Sequence, residues 1–177
     1  MSLVGRFHSN LKYSSLFMIS KAYFACGCFW GAQYYFEKLK GVKSTVVGYM
    51  GGKLDNPTYK DVKKGNTGHL ETTEVDYDPS VVNYESLVKY FFEIHDFTQE
   101  DGQGVDIGSQ YLSAIFVSNQ EEREVSEKVI DILKDKGYKV ATKILPTQTF
   151  WRAEDYHQLY LEQRKEQPEC HTYKKIF

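Results

Sequence analysis

Apolar positions along the chain recur with two different periods, and the changes between them mark out its elements. Lys21 to Cys26 is a short run, apolar enough for a buried strand. Phe29, Ala32, Phe36 and Leu39 then fall at spacings of three and four, one face of a helix, and Gly41 is placed to end it. Val42 to Tyr49 reads as a second strand. Leu70 to Tyr77 reads as a third, with Glu71, Thr73, Val75 and Tyr77 on one face and Asp78-Pro79 as its stop. Tyr84, Leu87, Val88, Phe91, Phe92 and His95 mark an amphipathic helix, and Tyr111 to Val117 a further strand. Ser118 and Glu121 have capping-box spacing before a helix carrying Val125, Val129, Ile132 and Leu133, closed by Gly137. Val140 to Leu145 is expected as a fifth strand and Ala153 to Leu161 as a last helix. Two polar, Gly-containing stretches, Met50 to Gly68 and Asp96 to Gln110, read as loops, and the tail after Gln167 has no period.

This order predicts an α+β fold. Two successive β-α-β units match the split βαβ plait of ferredoxin-like folds, with an extra C-terminal helix and strand and an aperiodic tail. No repeat or linker divides the sequence, so residues 21–177 are expected to form one domain, with a tail able to move. Residues 1–20, without an acidic residue and mostly polar from Ser9 to Ser15, read as a passive extension.

Composition narrows the function. With 22 basic and 24 acidic residues, the net charge of −2 offers nothing to bind nucleic acid. No apolar run approaches the roughly 20 residues of a membrane span, so a soluble, cytoplasmic monomer is expected. The three cysteines, Cys26, Cys28 and Cys170, are too few and too odd in number for a disulfide framework. They form no CxxC pair, and the five histidines have no zinc-like spacing, so neither metal nor cofactor is expected.

Cys28 is the candidate nucleophile. It sits between Gly27 and Gly31 where a strand turns into a helix, and backbone N–H groups at a helix start favour the thiolate. The glycines let the backbone turn sharply and let a substrate approach. Phe29 and Trp30, directly after it, offer an apolar wall suited to a methyl or thioether group, although Phe29 also fits the core face of the helix.

The string Gly27-Cys28-Phe29-Trp30-Gly31 resembles the signature of the A-type peptide methionine sulfoxide reductases. Further blocks resemble that family in the same order: Gly48-Tyr49, Gly51-Gly52, Asn56-Pro57-Thr58-Tyr59, Thr67-Gly68-His69-Leu70-Glu71, Tyr77-Asp78-Pro79, His95-Asp96, Asp106-Ile107-Gly108-Ser109-Gln110-Tyr111 and Ala153-Glu154-Asp155-Tyr156-His157-Gln158. The resemblance spans about residues 21–161. It implies Cys28 as nucleophile, Glu71 as the acid that protonates the sulfoxide oxygen, and Tyr59 and Tyr111 as hydroxyls bonded to that oxygen. It further implies Asp106 as a polar residue of the site and Phe29 and Trp30 as the methyl pocket. Preference for the S epimer is implied by the resemblance alone.

The chemistry suits these residue types. A thiolate must add to a weakly electrophilic sulfur while charge builds on oxygen, and a carboxyl can protonate that oxygen only if burial raises its pKa. Glu71 is therefore expected to be partly buried and protonated with substrate bound. Attack releases methionine, free or within a protein, and leaves a sulfenic acid that condenses with a second thiol. Cys170, on the tail, is expected to resolve it, and thioredoxin to reduce the resulting disulfide. Cys26 stands where the family usually has Gly or Ala; it could resolve directly, but reads better as a small buried hydrophobe. His69 and His157 read as structural hydrogen bonders. Two rivals are a cysteine hydrolase with Cys28 activated by His157, and a non-catalytic module binding methionine-containing peptides.

Overall fold

The computed structural model describes residues 18–177, so most of the expected extension lies outside the described residues. The chain begins with strand β1 (Ser20–Cys26), helix α1 (Phe29–Phe36) and strand β2 (Val42–Met50), followed by a one-turn helix α2 (Tyr59–Val62). Strand β3 (Leu70–Tyr77) and helix α3 (Tyr84–Glu93) lead to a small hairpin of β4 (Gly102–Gln103) and β5 (Asp106–Ile107). After a 3-10 turn at Ser109–Tyr111 come β6 (Ser113–Val117), α4 (Gln120–Asp135), β7 (Lys143–Pro146), β8 (Trp151–Arg152) and the short α5 (Tyr160–Arg164).

Six strands form one sheet in the order β7-β6-β1-β3-β2-β8, with every neighbouring pair antiparallel except β6 and β7. The register of β1 on β3 sets Phe24 against Thr73. Continued two residues further, it brings Glu71 beside the end of β1, just ahead of Cys28. The strand alternation therefore decides which side chain meets the start of α1.

The main core lies between the sheet and helices α1, α3 and α4. Phe24 of β1 stacks on Phe36 at 5.0 Å and on Phe91 at 5.3 Å, beside the fully buried Leu87, Val88, Val129 and Leu133. Each such side chain contributes about 1.5–3 kcal/mol by leaving water. Cys26, 1% exposed, belongs to this cluster. On the opposite face Ala25, Met50, Leu70, Ala114 and Phe116 are covered by Tyr23, Leu112, Leu145 and Phe150.

Several elements differ from the sequence expectation. The Met50–Gly68 loop contains α2, started by a capping box in which Thr58 and Asp61 bond each other's side chains and backbone. The Asp96–Gln110 loop folds into the β4–β5 hairpin. The cap of α4 is Asn119, which accepts from the Glu122 N–H, in place of Ser118. The fifth strand starts at Lys143 rather than Val140. The expected helix Ala153–Leu161 is broken: a 3-10 turn at Asp155–His157 is separated from α5 by Leu159, whose φ of 51° is left-handed. Two side-chain amides hold that break. Gln158 accepts from the Val47 N–H and donates to the Val47 carbonyl, as a neighbouring strand would, and Gln33 accepts from the Leu159 N–H. Among the described residues no helix is long and apolar enough to cross a membrane.

Residues after α5 form neither helix nor strand, yet they are tied down. Buried Glu93, the last residue of α3, accepts hydrogen bonds from the backbone of Ile176 and Phe177 and from the Tyr173 hydroxyl, while its carbonyl accepts from the Lys174 N–H.

Candidate active site

Cys28 is the N-cap residue of α1. The N–H groups of Trp30 and Gly31 point at its sulfur and favour charge there. Burial of the mostly enclosed thiol outweighs them, however, and with the nearby Glu71 charge holds the thiol well above its ordinary range. The position at a helix start therefore does not by itself yield a thiolate. Two N–H groups are too few to offset the loss of water around the sulfur.

Glu71 is 3% exposed, more deeply buried than its sequence context indicates. Its carboxylate accepts a 3.0 Å hydrogen bond from the N–H of Phe29, the residue next to Cys28. Burial pushes its pKa up to about 8, the nearby Asp106 charge adds to this, and the Phe29 N–H opposes it. Glu71 is thus a neutral carboxylic acid around pH 7.

Tyr59 begins α2, where its N–H donates to Glu154 at 2.9 Å, and Tyr111 closes the 3-10 turn before β6. Both phenols are shifted upward, first by burial and next by the charge of Glu71, so these three groups share one neighbourhood. Glu154 also accepts from the Tyr49 hydroxyl and so ties β2 to α2 behind the site. The Ala153–Gln158 block carries this structural acid, which sequence reading did not single out.

The two aromatic residues after Cys28 part company. Phe29 is 1% exposed and packs with Val47, Tyr49, Val62 and Ala153. Trp30 is partly exposed: its ring stacks on Tyr160 at 3.8 Å and its indole N–H donates to His157 Nδ1 at 3.1 Å. His157 Nδ1 is thereby engaged by Trp30, its Nε2 is buried without a hydrogen-bond partner, and no hydrogen bond joins its ring to Cys28. His69 is structural, its ring bonded to the Gly52 N–H and the Leu54 carbonyl.

A cavity of about 300 Å³ opens over Cys28, lined by Trp30, Asp106, Tyr160, Cys170 and His171 among others. Cys28 and Cys170 therefore share one space, whereas Cys26 faces the core. The Cys170 thiol donates to Asp106 Oδ2 at 2.9 Å, and the Cys170 carbonyl accepts from the Gln103 side chain. Gln103 and Asp106 face each other across the β4–β5 hairpin, which so grips both ends of Cys170. Burial, then the Asp106 carboxylate, push the Cys170 thiol up to about 11.

His171, on the tail, has no zinc-like spacing from His157 and Cys170 in the sequence, and its place in the site comes from the structure. Its ring is 3% exposed and Nε2 donates to the Cys26 carbonyl at 2.7 Å. It lies against Gly31, where a methyl group would overlap the ring; at Gly27 a methyl group would overlap Gln103. The two glycines around Cys28 thus admit the chain's own side chains, and substrate approach is not the whole reason for them. All three cysteines are free thiols, and among the described residues no set of three His, Cys, Asp or Glu side chains is placed to hold a metal ion.

Comparison with known proteins decides the family. The family profile described as peptide methionine sulfoxide reductase matches residues 20–176. This chain belongs to that family. It is 47% identical over 149 residues to the peptide methionine sulfoxide reductase MsrA of Acidobacterium capsulatum, covering 82% of this chain and 96% of the relative. It is 49% identical over 145 residues to that of Methanothermobacter thermautotrophicus, covering 80% and 86%. Among solved structures, reduced Mxr1 of Saccharomyces cerevisiae superposes with a TM-score of 0.82 at 33% identity, covering 89% of this chain and 93% of that one.

Proposed function

We propose that this reductase family member reduces the S-sulfoxide of methionine, free or in proteins, using Cys28 as nucleophile and Glu71 as proton donor. One observation carries the mechanism: Glu71, beside Cys28, is a buried carboxyl that keeps its proton at neutral pH. As the Cys28 sulfur attacks, Glu71 gives its proton to the sulfoxide oxygen. The carboxylate then takes the Cys28 proton, so no charge is left uncompensated. Tyr59 and Tyr111 hydrogen-bond the same oxygen, and Trp30, with Phe29 packed behind it, bounds the space for the methyl group. The S–O bond of the former sulfoxide then breaks and its hydroxyl passes to the Cys28 sulfur, so methionine leaves with its sulfur reduced and Cys28 becomes a sulfenic acid.

Cys170 resolves that sulfenic acid, Asp106 lies between the two sulfurs' surroundings, and thioredoxin reduces the disulfide. A chain with so few cysteines suits a reducing, cytoplasmic compartment, and one chain carries every group of the site, which suits a monomer. We read residues 21–177 as a single unit. The antiparallel order β6-β1-β3-β2, with α1 and α3 as crossovers, supports a split βαβ plait at its centre.

The test is turnover of the separate R and S epimers of N-acetylmethionine sulfoxide with dithiothreitol, for wild type and Cys28→Ser. Turnover of the S epimer alone, lost in the variant, is the expected result. Folded wild-type protein that turns over neither epimer would sink this reading.

A further inference from the structure

The tail has no helix or strand to place it, yet Cys170 sits in the same cavity as Cys28. Its neighbour His171 reaches past Cys170 toward the backbone at both sides of the nucleophile. The ring is buried, bonds the Cys26 carbonyl through Nε2, and occupies the room that a Cβ at Gly31 would need; its Cε1 lies 3.7 Å from the corresponding position at Gly27. Since Nε2 donates, Nδ1 is unprotonated, and it is buried without a hydrogen-bond partner. Leaving a buried acceptor unpaired is unfavourable, so the ring's seat is held by fit and by its single bond to Cys26.

We propose that His171 is a positioning residue for the resolving step: its ring seats the tail in the slot left by Gly27 and Gly31 and so holds the Cys170 thiol where it can meet the Cys28 sulfenic acid. This rests on the reductase reading. In the step served, the Cys170 sulfur attacks the Cys28 sulfur, an S–S bond forms and the S–O bond of the sulfenic acid breaks. Asp106, already accepting the Cys170 S–H, takes its proton and passes it to the departing hydroxide, which leaves as water. The Cys170 sulfur is oxidised and the Cys28 sulfur reduced, so no outside reductant enters until the disulfide is opened. Aligning two groups on one scaffold is worth large factors in rate, and a displacement of about 1 Å can cost 10²-fold.

The experiment is a single turnover of full-length wild type, His171→Ala and His171→Gln with methionine sulfoxide and no reductant. Methionine release, loss of free thiols and dimedone capture of the sulfenic acid are followed on the same samples. Wild type should lose one thiol with methionine release and a second as the disulfide closes, with little dimedone adduct. His171→Ala should lose the second thiol at least about tenfold more slowly while dimedone-labelled Cys28 accumulates, its methionine release changing far less. His171→Gln, which keeps an N–H near the place of Nε2, should recover part of the resolving rate. Loss of the second thiol in His171→Ala at the wild-type rate would overturn the inference, and so would an equal fall in methionine release and second-thiol loss. Wild type that releases no methionine would instead overturn the reductase reading beneath it.

Discussion

On one side of Cys28 lies Glu71, carried by β3 in the middle of a six-stranded sheet and fixed by the Phe29 N–H. On the other lies Cys170, on chain that belongs to no element and is held by Gln103, Asp106, His171 and, further along, Glu93. The difference suits the roles proposed for the two sides. Proton donation by a carboxyl depends on burial, and burial comes from a packed sheet that does not move. Resolution and later reduction require a thiol that can approach Cys28 and then be reached by another protein. That role suits a segment held by a few polar contacts.

The sheet side is tested most severely by Glu71→Gln. Loss of a positioned general acid costs about 10²- to 10⁴-fold, and the loss should appear in methionine release, leaving later thiol loss limited by it. The variant must be folded, which circular dichroism checks. An activity within a small factor of wild type would remove Glu71 from the mechanism.

The pH dependence sharpens the same side. Glu71 keeps a proton in the folded protein up to about 8, whereas in the unfolded chain it releases one near 4.5. Below 8 the acid is present and methionine release is supported. As pH rises through 8 the donor is lost and the rate falls. Stability follows the same sign: between 4.5 and about 8 the folded state binds the extra proton, so stability declines as pH rises across that window. Glu71→Gln should flatten that contribution, and urea midpoints at the two ends of the window would show it. Wild type and variant with identical pH trends would argue that Glu71 titrates normally.

The two sides were also unequally readable in the sequence. The alternation of Glu71, Thr73, Val75 and Tyr77 places Glu71 on one face of β3, and the helical spacing from Phe29 sets Cys28 at the start of α1; both hold in the structure. The tail gave no such signal, because its place depends on Glu93 and on the glycine slot, contacts between residues far apart in sequence. For the same reason the break at Leu159 was hidden: Gln158 and Gln33 look like ordinary polar residues until their amides meet the backbone of β2 and of Leu159. Gly27 and Gly31 were visible as glycines, but only the positions of Gln103 and His171 show what uses the space.

On the tail side, Gly31→Ala sets two effects of opposite sign against each other. Gly31 lies inside α1, and alanine there should favour the helix by about 1 kcal/mol. The added methyl overlaps the His171 ring, however, so the ring must leave its seat. Loss of the second thiol in a single turnover should slow by about tenfold, with the midpoint of thermal unfolding moving little. A variant that resolves at the wild-type rate would show that the slot is not needed.

Glu93→Gln should give the smallest effect. Burial works against its charge, but the N–H groups of Ile176 and Phe177 and the Tyr173 hydroxyl outweigh it and hold the carboxyl below its usual range. Hydrogen bonds to a charged group are worth about 1.5–3 kcal/mol each, and a neutral amide keeps only part of that. Because the folded pKa is depressed, the clamp is at full strength above the ordinary carboxylate range and weakens as pH falls through the folded value. The variant should therefore show faster tryptic cleavage at Lys174 and Lys175 near neutral pH, and only a few-fold slower resolution, since His171 still seats Cys170. Wild type brought to a pH below the ordinary carboxylate range should likewise open its tail, read as faster cleavage there by an acid-active protease than at a pH above that range. If Glu93→Gln slowed resolution as much as His171→Ala, the clamp at the end of α3, and not the slot beside Cys28, would be what positions the resolving thiol.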